Sequence, residues 1–203
     1  MLALYPLIFC TSVIKAMYAS VFINLMVKTM DDEEKWGVED KQKTSKALLC
    51  ILGVGVGEVL GSIAFGRITD KCTNKTTCLL NVLATTISYG LLFLLGALYE
   101  FSFVLAFLMT TMWGVQDAGT VCLVTCMLGF QFESKTTPFS VYKCSQSAFV
   151  FFIYYINSLL ETQTAYLVYF CICYALAILS WIIFYKCFEV KSEEAIEALR
   201  CKG

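Results

Sequence analysis

Six long apolar runs, separated by short polar ones, divide this chain at about 2–26, 47–69, 78–98, 102–130, 138–160 and 165–185. Each is near the roughly 20 residues that a helix needs to cross the hydrocarbon of a bilayer. The runs are continuous rather than alternating, which excludes a transmembrane barrel. The pattern therefore predicts an all-α membrane protein with six transmembrane helices. These form one six-span domain over 1–187, followed by a cytosolic tail over 188–203 in which Ser192 caps a short amphipathic helix resting on the membrane surface.

Polar and small residues inside these runs carry the next level of information. In the second run Gly53, Gly57 and Gly61 recur every four residues, a face without side chains on which another helix can lie closely. In the fourth run Thr110, Gly114, Asp117 and Thr120 recur at helical spacing and draw one polar stripe. In the fifth, Pro138 stands at the first turn after a threonine cap, and Ser140, Lys143, Ser147, Tyr154 and Ser158 share one side. The sixth run is apolar and aromatic all round, as a lipid-facing peripheral helix would be.

The connectors are short and polar. Lys28 to Lys46 form a charge-balanced solvated loop, and Tyr99-Glu100 a tight reversal. Lysine and arginine set the orientation. With the 67–75 loop inside, nine basic residues (Arg67, Lys71, Lys75, Lys135, Lys143, Lys186, Lys191, Arg200 and Lys202) lie on the cytosolic side, and the five on the other side all fall in the first loop. Both termini are then cytosolic, and the first run is a retained span because it is long and has Lys15 at its centre.

Composition agrees with this picture: 59% of residues are hydrophobic and mean hydropathy is +0.72. A net charge of −1 without a basic block gives no reason to expect nucleic acid, and there is no histidine to serve as metal ligand or neutral-pH base. Eleven cysteines are present, but Cys10, Cys50, Cys122, Cys126, Cys171 and Cys173 lie inside apolar runs, where cysteine behaves as a small hydrophobe. No nucleophile, base and orienting group assemble in the sequence. The expectation is no enzyme, no cofactor and no metal site.

Three charges remain at mid-span: Lys15, Glu58 and Asp117. Charges at that depth pair with one another or line a polar pathway. One reading is an inter-helical ion pair that fixes packing; the other is proton or ion coupling by the carboxylate left over.

The turn after the second run, Gly66-Arg67-Ile68-Thr69-Asp70-Lys71 with Asn74-Lys75 beyond it, resembles the signature loop of the major facilitator superfamily. Within that reading Asp70 sits at a neighbouring helix N-terminus, and Arg67 or Lys71 binds a carboxylate. Gly57-Glu58-Val59-Leu60-Gly61, Phe65-Gly66, Trp113-Gly114-Val115-Gln116-Asp117-Ala118, Phe139, Tyr142-Lys143 and Gln146-Ser147 follow in the order of the last six helices of an uncoordinated-93-like protein. The chain resembles the C-terminal half of such a protein over essentially its whole length. The resemblance implies half of a major-facilitator-type fold and a non-enzymatic role as regulatory or trafficking partner of a channel or receptor. The alternative is half of a proton- or ion-coupled solute transporter that works when assembled with a second half. Either implies partners besides the lipid bilayer: a second copy, a first-half protein, or a channel or receptor.

Overall fold

A computed structural model describes residues 4–31, 40–71, 74–98, 102–132, 136–160 and 162–187. Helices account for nearly all of them, and no strand occurs among the described residues. The helices are α1 (Tyr5–Ala16), continued through a π turn (Met17–Val21) into α2 (Phe22–Asp31), then α3 (Asp40–Lys71), α4 (Asn74–Leu98), α5 (Phe103–Gln131), α6 (Thr137–Ser158) and α7 (Gln163–Cys187). Four stretches are long and apolar enough to cross a membrane: Tyr5–Met30, Thr44–Lys71, Lys75–Leu98 and Gln163–Lys186. By length and composition the chain is thus an all-α integral membrane protein.

α5 and α6 fall outside that set although they are 29 and 22 residues long. The reason is chemical. α5 carries Thr110, Thr111, Gln116, Asp117 and Thr120 along its length, and α6 carries Ser140, Lys143, Ser145, Gln146, Ser147 and Asn157. These residues dilute the apolarity that identifies the other four helices.

The α1–α2 rod occupies the centre. It packs on α5, α6 and α7 through α1 and on α3 through α2, and Leu7, Ile8, Ile14, Ala16, Met17, Phe22 and Leu25 are almost wholly buried. α3 lies along α5, α5 also meets α4, and α4 meets α7. The outer faces are apolar, with Leu52, Val59 and Ile63 of α3, Leu79 and Leu83 of α4 and Ile172 and Leu179 of α7 all exposed. That distribution suits helices whose backs face lipid rather than water.

Several expected boundaries and surroundings differ from the structure. The loop expected from Lys28 to Lys46 is partly helical, since α2 runs on to Asp31 and α3 already begins at Asp40. Charged residues lengthen a helix readily where it leaves the apolar layer, because hydropathy records only the part inside it. α4 likewise begins at Asn74, which places Lys75 on the helix rather than in the turn. Pro138 does sit in the first turn of α6, but the threonine before that helix makes no side-chain capping bond. α7 is not lipid-facing all round: Tyr166, Phe170, Cys173, Ala177, Trp181 and Phe184 are buried against α4 and α1. Its uniform apolarity hid which side faces protein. The Tyr99-Glu100 reversal, the turn residues 72 and 73 and the 188–203 tail lie outside the described residues.

Candidate functional site

The site begins with the glycines of α3. Gly53, Gly57 and Gly61 are all buried against α5. A Cβ at Gly53 would meet the Thr110 Oγ1, one at Gly57 the Thr111 carbonyl, and one at Gly61 the Ala118 side chain. The approach is reciprocal, because a Cβ at Gly114 on α5 would meet the Val54 carbonyl and the Glu58 backbone nitrogen. Thr110 fastens the upper end by donating through Oγ1 to the Cys50 carbonyl at 2.7 Å. Small residues on both sides let the two backbones touch, which is the contact membrane helices use when no hydrophobic force separates lipid from side chain.

That seam carries both carboxylates. Glu58 follows Gly57, and Asp117 lies one turn beyond Gly114 on the same face of α5. The side chains of Glu58 and Asp117 interact directly, and Tyr18 on the π turn interacts with Asp117. Lys15 of α1 and Lys143 of α6 act on Asp117 through space. Asp117 is only 4% exposed, and its Oδ1 has no hydrogen-bond partner. Lys15 and Glu58 are half-buried and Lys143 is exposed. Four polar groups, from α1, the π turn, α3 and α6, thus surround the one carboxylate of α5.

Sequence spacing alone pointed to Lys15, Glu58 and Asp117, and the fold brings these three into one neighbourhood. It did not point to Tyr18, although Tyr18 stands three residues after Lys15 and so shares its helical face. Nor did it reveal the π turn. π turns are rare and concentrate at functional sites. Here the turn is held by Asn157 of α6, whose Nδ2 donates to Ser20 Oγ.

The Trp113-Gly114-Val115-Gln116-Asp117-Ala118 run resolves into separate directions. Trp113 is fully buried; its ring lies edge-on to Phe22 of α2 at 4.9 Å and 5.0 Å from Tyr89 of α4, and its Nε1 donates to the Ser88 carbonyl at 3.2 Å. Gln116 donates through Nε2 to Thr85 Oγ1 of α4 at 3.1 Å. Ala118 fills the notch at Gly61. One helical segment therefore addresses α2, α3, α4 and the charged centre at once.

Comparison of the chain with family models, with curated proteins and with solved structures finds no match. The chemistry of the site must be read from its own residues. Among the described residues no three histidine, cysteine or acidic side chains are grouped as a metal site would need. A buried carboxylate with a second carboxyl, two lysines and a phenol around it is the kind of intramembrane cluster that pairs charges or lines a polar pathway.

α6 provides the other half of the picture. It is joined to α1 by polar contacts: Gln146 Nε2 donates to Thr11 Oγ1 and to Tyr142 Oη, both at 3.1 Å, and Asn157 reaches Ser20. Its other side leaves Lys143, Ser147, Tyr154 and Ser158 exposed. The turn expected as a signature loop has Gly66 half-buried, with Arg67, Asp70, Lys71 and Lys75 exposed. Asp70 stands in the last turn of α3, and Lys75 Nζ lies 5.8 Å from the centre of the Tyr185 ring of α7.

Proposed function

We propose that this chain is a multi-pass facilitator-type membrane protein of the uncoordinated-93-like kind, working as a regulatory or trafficking partner of a channel or receptor. In this reading α5 and α6 also cross the bilayer, giving six spans with both termini cytosolic. α5 accompanies α3 along the glycine seam and turns its polar stripe inward, so it needs no apolar surface all round.

The observation that carries the reading is the exposed polar stripe of α6. Lys143, Ser147, Tyr154 and Ser158 recur at helical spacing on a helix flanked by exposed Phe151, Phe152 and Tyr155. Ser158 donates to the Tyr155 carbonyl, but lipid cannot satisfy the Lys143 ammonium or the Ser147 and Tyr154 hydroxyls at membrane depth. A protein partner, packed beside α1 and α6, can.

The charge cluster supports a second reading, half of a proton- or ion-coupled solute transporter. A buried carboxylate with an unpartnered oxygen, beside a second carboxylate and two lysines, is an expensive arrangement to keep in a membrane, by about 3 kcal/mol for one charge at mid-helix. Coupling gives it a use. Mass measurement of the protein in nanodiscs together with solute uptake into vesicles separates the two. A complexed species without uptake fits the first, uptake abolished by Asp117→Asn fits the second, and a monodisperse monomer without uptake removes both.

A further inference from the structure

A second charged surface lies at the opposite end of the chemistry, where α3 ends, α4 begins and α7 ends. Arg67 and Lys71 stand four residues apart in the last two turns of α3, Lys75 in the first turn of α4 and Lys186 in the last turn of α7. All four side chains are exposed. α4 touches both α3 and α7, so the three helix ends stand side by side and the four cations form one patch. Asp70 is the exposed carboxylate within it.

The patch sits at a definite depth. Lys75 and Tyr185 face each other across the α4–α7 gap with the ammonium over the ring. A half-exposed tyrosine beside a lysine at a helix end is the arrangement found at the level of lipid headgroups, where the ring meets the apolar edge and the charge reaches outward. The neighbouring surface is apolar, with Leu79 and Leu83 of α4 and Leu179 and Ile182 of α7 exposed just below. A ligand here meets a cationic rim above a greasy wall.

We infer that Arg67, Lys71, Lys75 and Lys186 bind the headgroup of an anionic phospholipid, with its acyl chains lying along α4 and α7. Phosphate and carboxylate oxygens match the three long lysines and the guanidinium fork. The lipid rather than a soluble anion is the occupant, because only a lipid also covers the apolar wall beneath the cations. Clusters of basic residues beside the cytosolic ends of spans recognise anionic lipid in this way. The inference stands apart from the reading of the carboxylate cluster and survives if that reading fails.

The full chain is reconstituted in nanodiscs of phosphatidylcholine with and without phosphatidylserine, and the phosphatidylserine retained on extraction is counted by native mass spectrometry. Neutralising each basic residue to glutamine should weaken retention about fivefold, from the surface attraction of one cation. Asp70→Asn should strengthen it, a gain that misfolding cannot imitate. High salt should bring the parent down to the level of the fourfold variant R67Q/K71Q/K75Q/K186Q. Equal retention by parent and fourfold variant overturns the inference. So does protection of the parent by inorganic phosphate in phosphatidylcholine discs to the same degree as by phosphatidylserine, since a soluble anion would then be the ligand.

Discussion

Gly57 of α3 and Gly114 of α5 occupy reciprocal notches: a Cβ on Gly57 would strike the Thr111 carbonyl, and one on Gly114 would strike the Val54 carbonyl. Because the residue after Gly57 is Glu58 and Asp117 is one turn past Gly114, this backbone approach also sets how closely the two carboxyls meet. Packing and chemistry share one seam.

The seam gives a sharp contrast between neighbouring glycines. Gly57→Ala forces a methyl into α5 backbone, which cannot yield as a side-chain tip would, and should lower stability by about 1–3 kcal/mol as overpacking does. Gly55 has nothing within 4 Å of an added Cβ, so Gly55→Ala should leave the protein unchanged or slightly more stable. Thermal unfolding in detergent compares them directly, and equal midpoints for the two variants would remove the seam as the cause.

A buried polar knot joins α4, α5 and α7. Thr85 Oγ1 accepts from Gln116 Nε2 at 3.1 Å and from Trp181 Nε1 at 3.2 Å while donating to the Asn81 carbonyl at 2.8 Å. Thr85→Val keeps the shape but strands two buried donors. Each unsatisfied group costs about 1–3 kcal/mol, so a loss on the order of 2 kcal/mol or more is expected in the same unfolding measurement. Thr86→Val removes a hydroxyl that sits exposed on the next position and should change little.

α6 is attached to α1 by polar contacts rather than by a glycine seam, so it should be the first helix to loosen. Gln146→Ala removes the bonds to Thr11 and Tyr142, and Asn157→Ala removes the bond to Ser20. The pair should raise hydrogen exchange across α6 while α3 and α5 stay protected. Uniform exchange across all helices would mean that α6 does not depend on these contacts.

For the assembled state, Asp117→Leu should reduce the complexed fraction seen by mass measurement if Asp117 faces the partner. In a self-sufficient bundle the same change should leave the mass unchanged and lower thermal stability instead, since it takes the carboxylate away from Lys15 and Lys143, which act on it within the bundle. Retention of the full complex by this variant would take Asp117 out of the interface.

Orientation is open to cysteine labelling. An impermeant thiol reagent should reach Cys201 only after the membrane is opened. Labelling in intact cells with the protein at their surface would reverse the assignment made from lysine and arginine.

Much of this was legible along the chain because membrane burial writes itself into sequence. Continuous apolar runs marked the helices, since every backbone polar group in lipid must be satisfied within its own helix. The four-residue glycine spacing marked a contact face, and isolated charges stood out against their surroundings. What sequence could not supply was the partner of each face. α7 reads as lipid-facing all round, yet one side packs on α4 and α1, because Trp181, Phe184 and Phe170 are equally at home in lipid and in a core. Periodicity could not locate the π turn either. A π turn changes the register by one residue, and no residue type marks it, but it sets Tyr18 against Asp117 and Ser20 within reach of Asn157.

Sequence by itself determined an all-helical membrane chain, the glycine face of α3 and the three charges inside the apolar runs, because each follows from local composition in a solvent that tolerates little polarity. Only the tertiary structure decided that α3 meets α5, that Glu58 and Asp117 interact with Lys15, Lys143 and Tyr18 around them, and that Arg67, Lys71, Lys75 and Lys186 share one patch. Those relationships depend on which helix lies beside which, and helix neighbours are chosen by shape and hydrogen bonding between residues far apart in the chain.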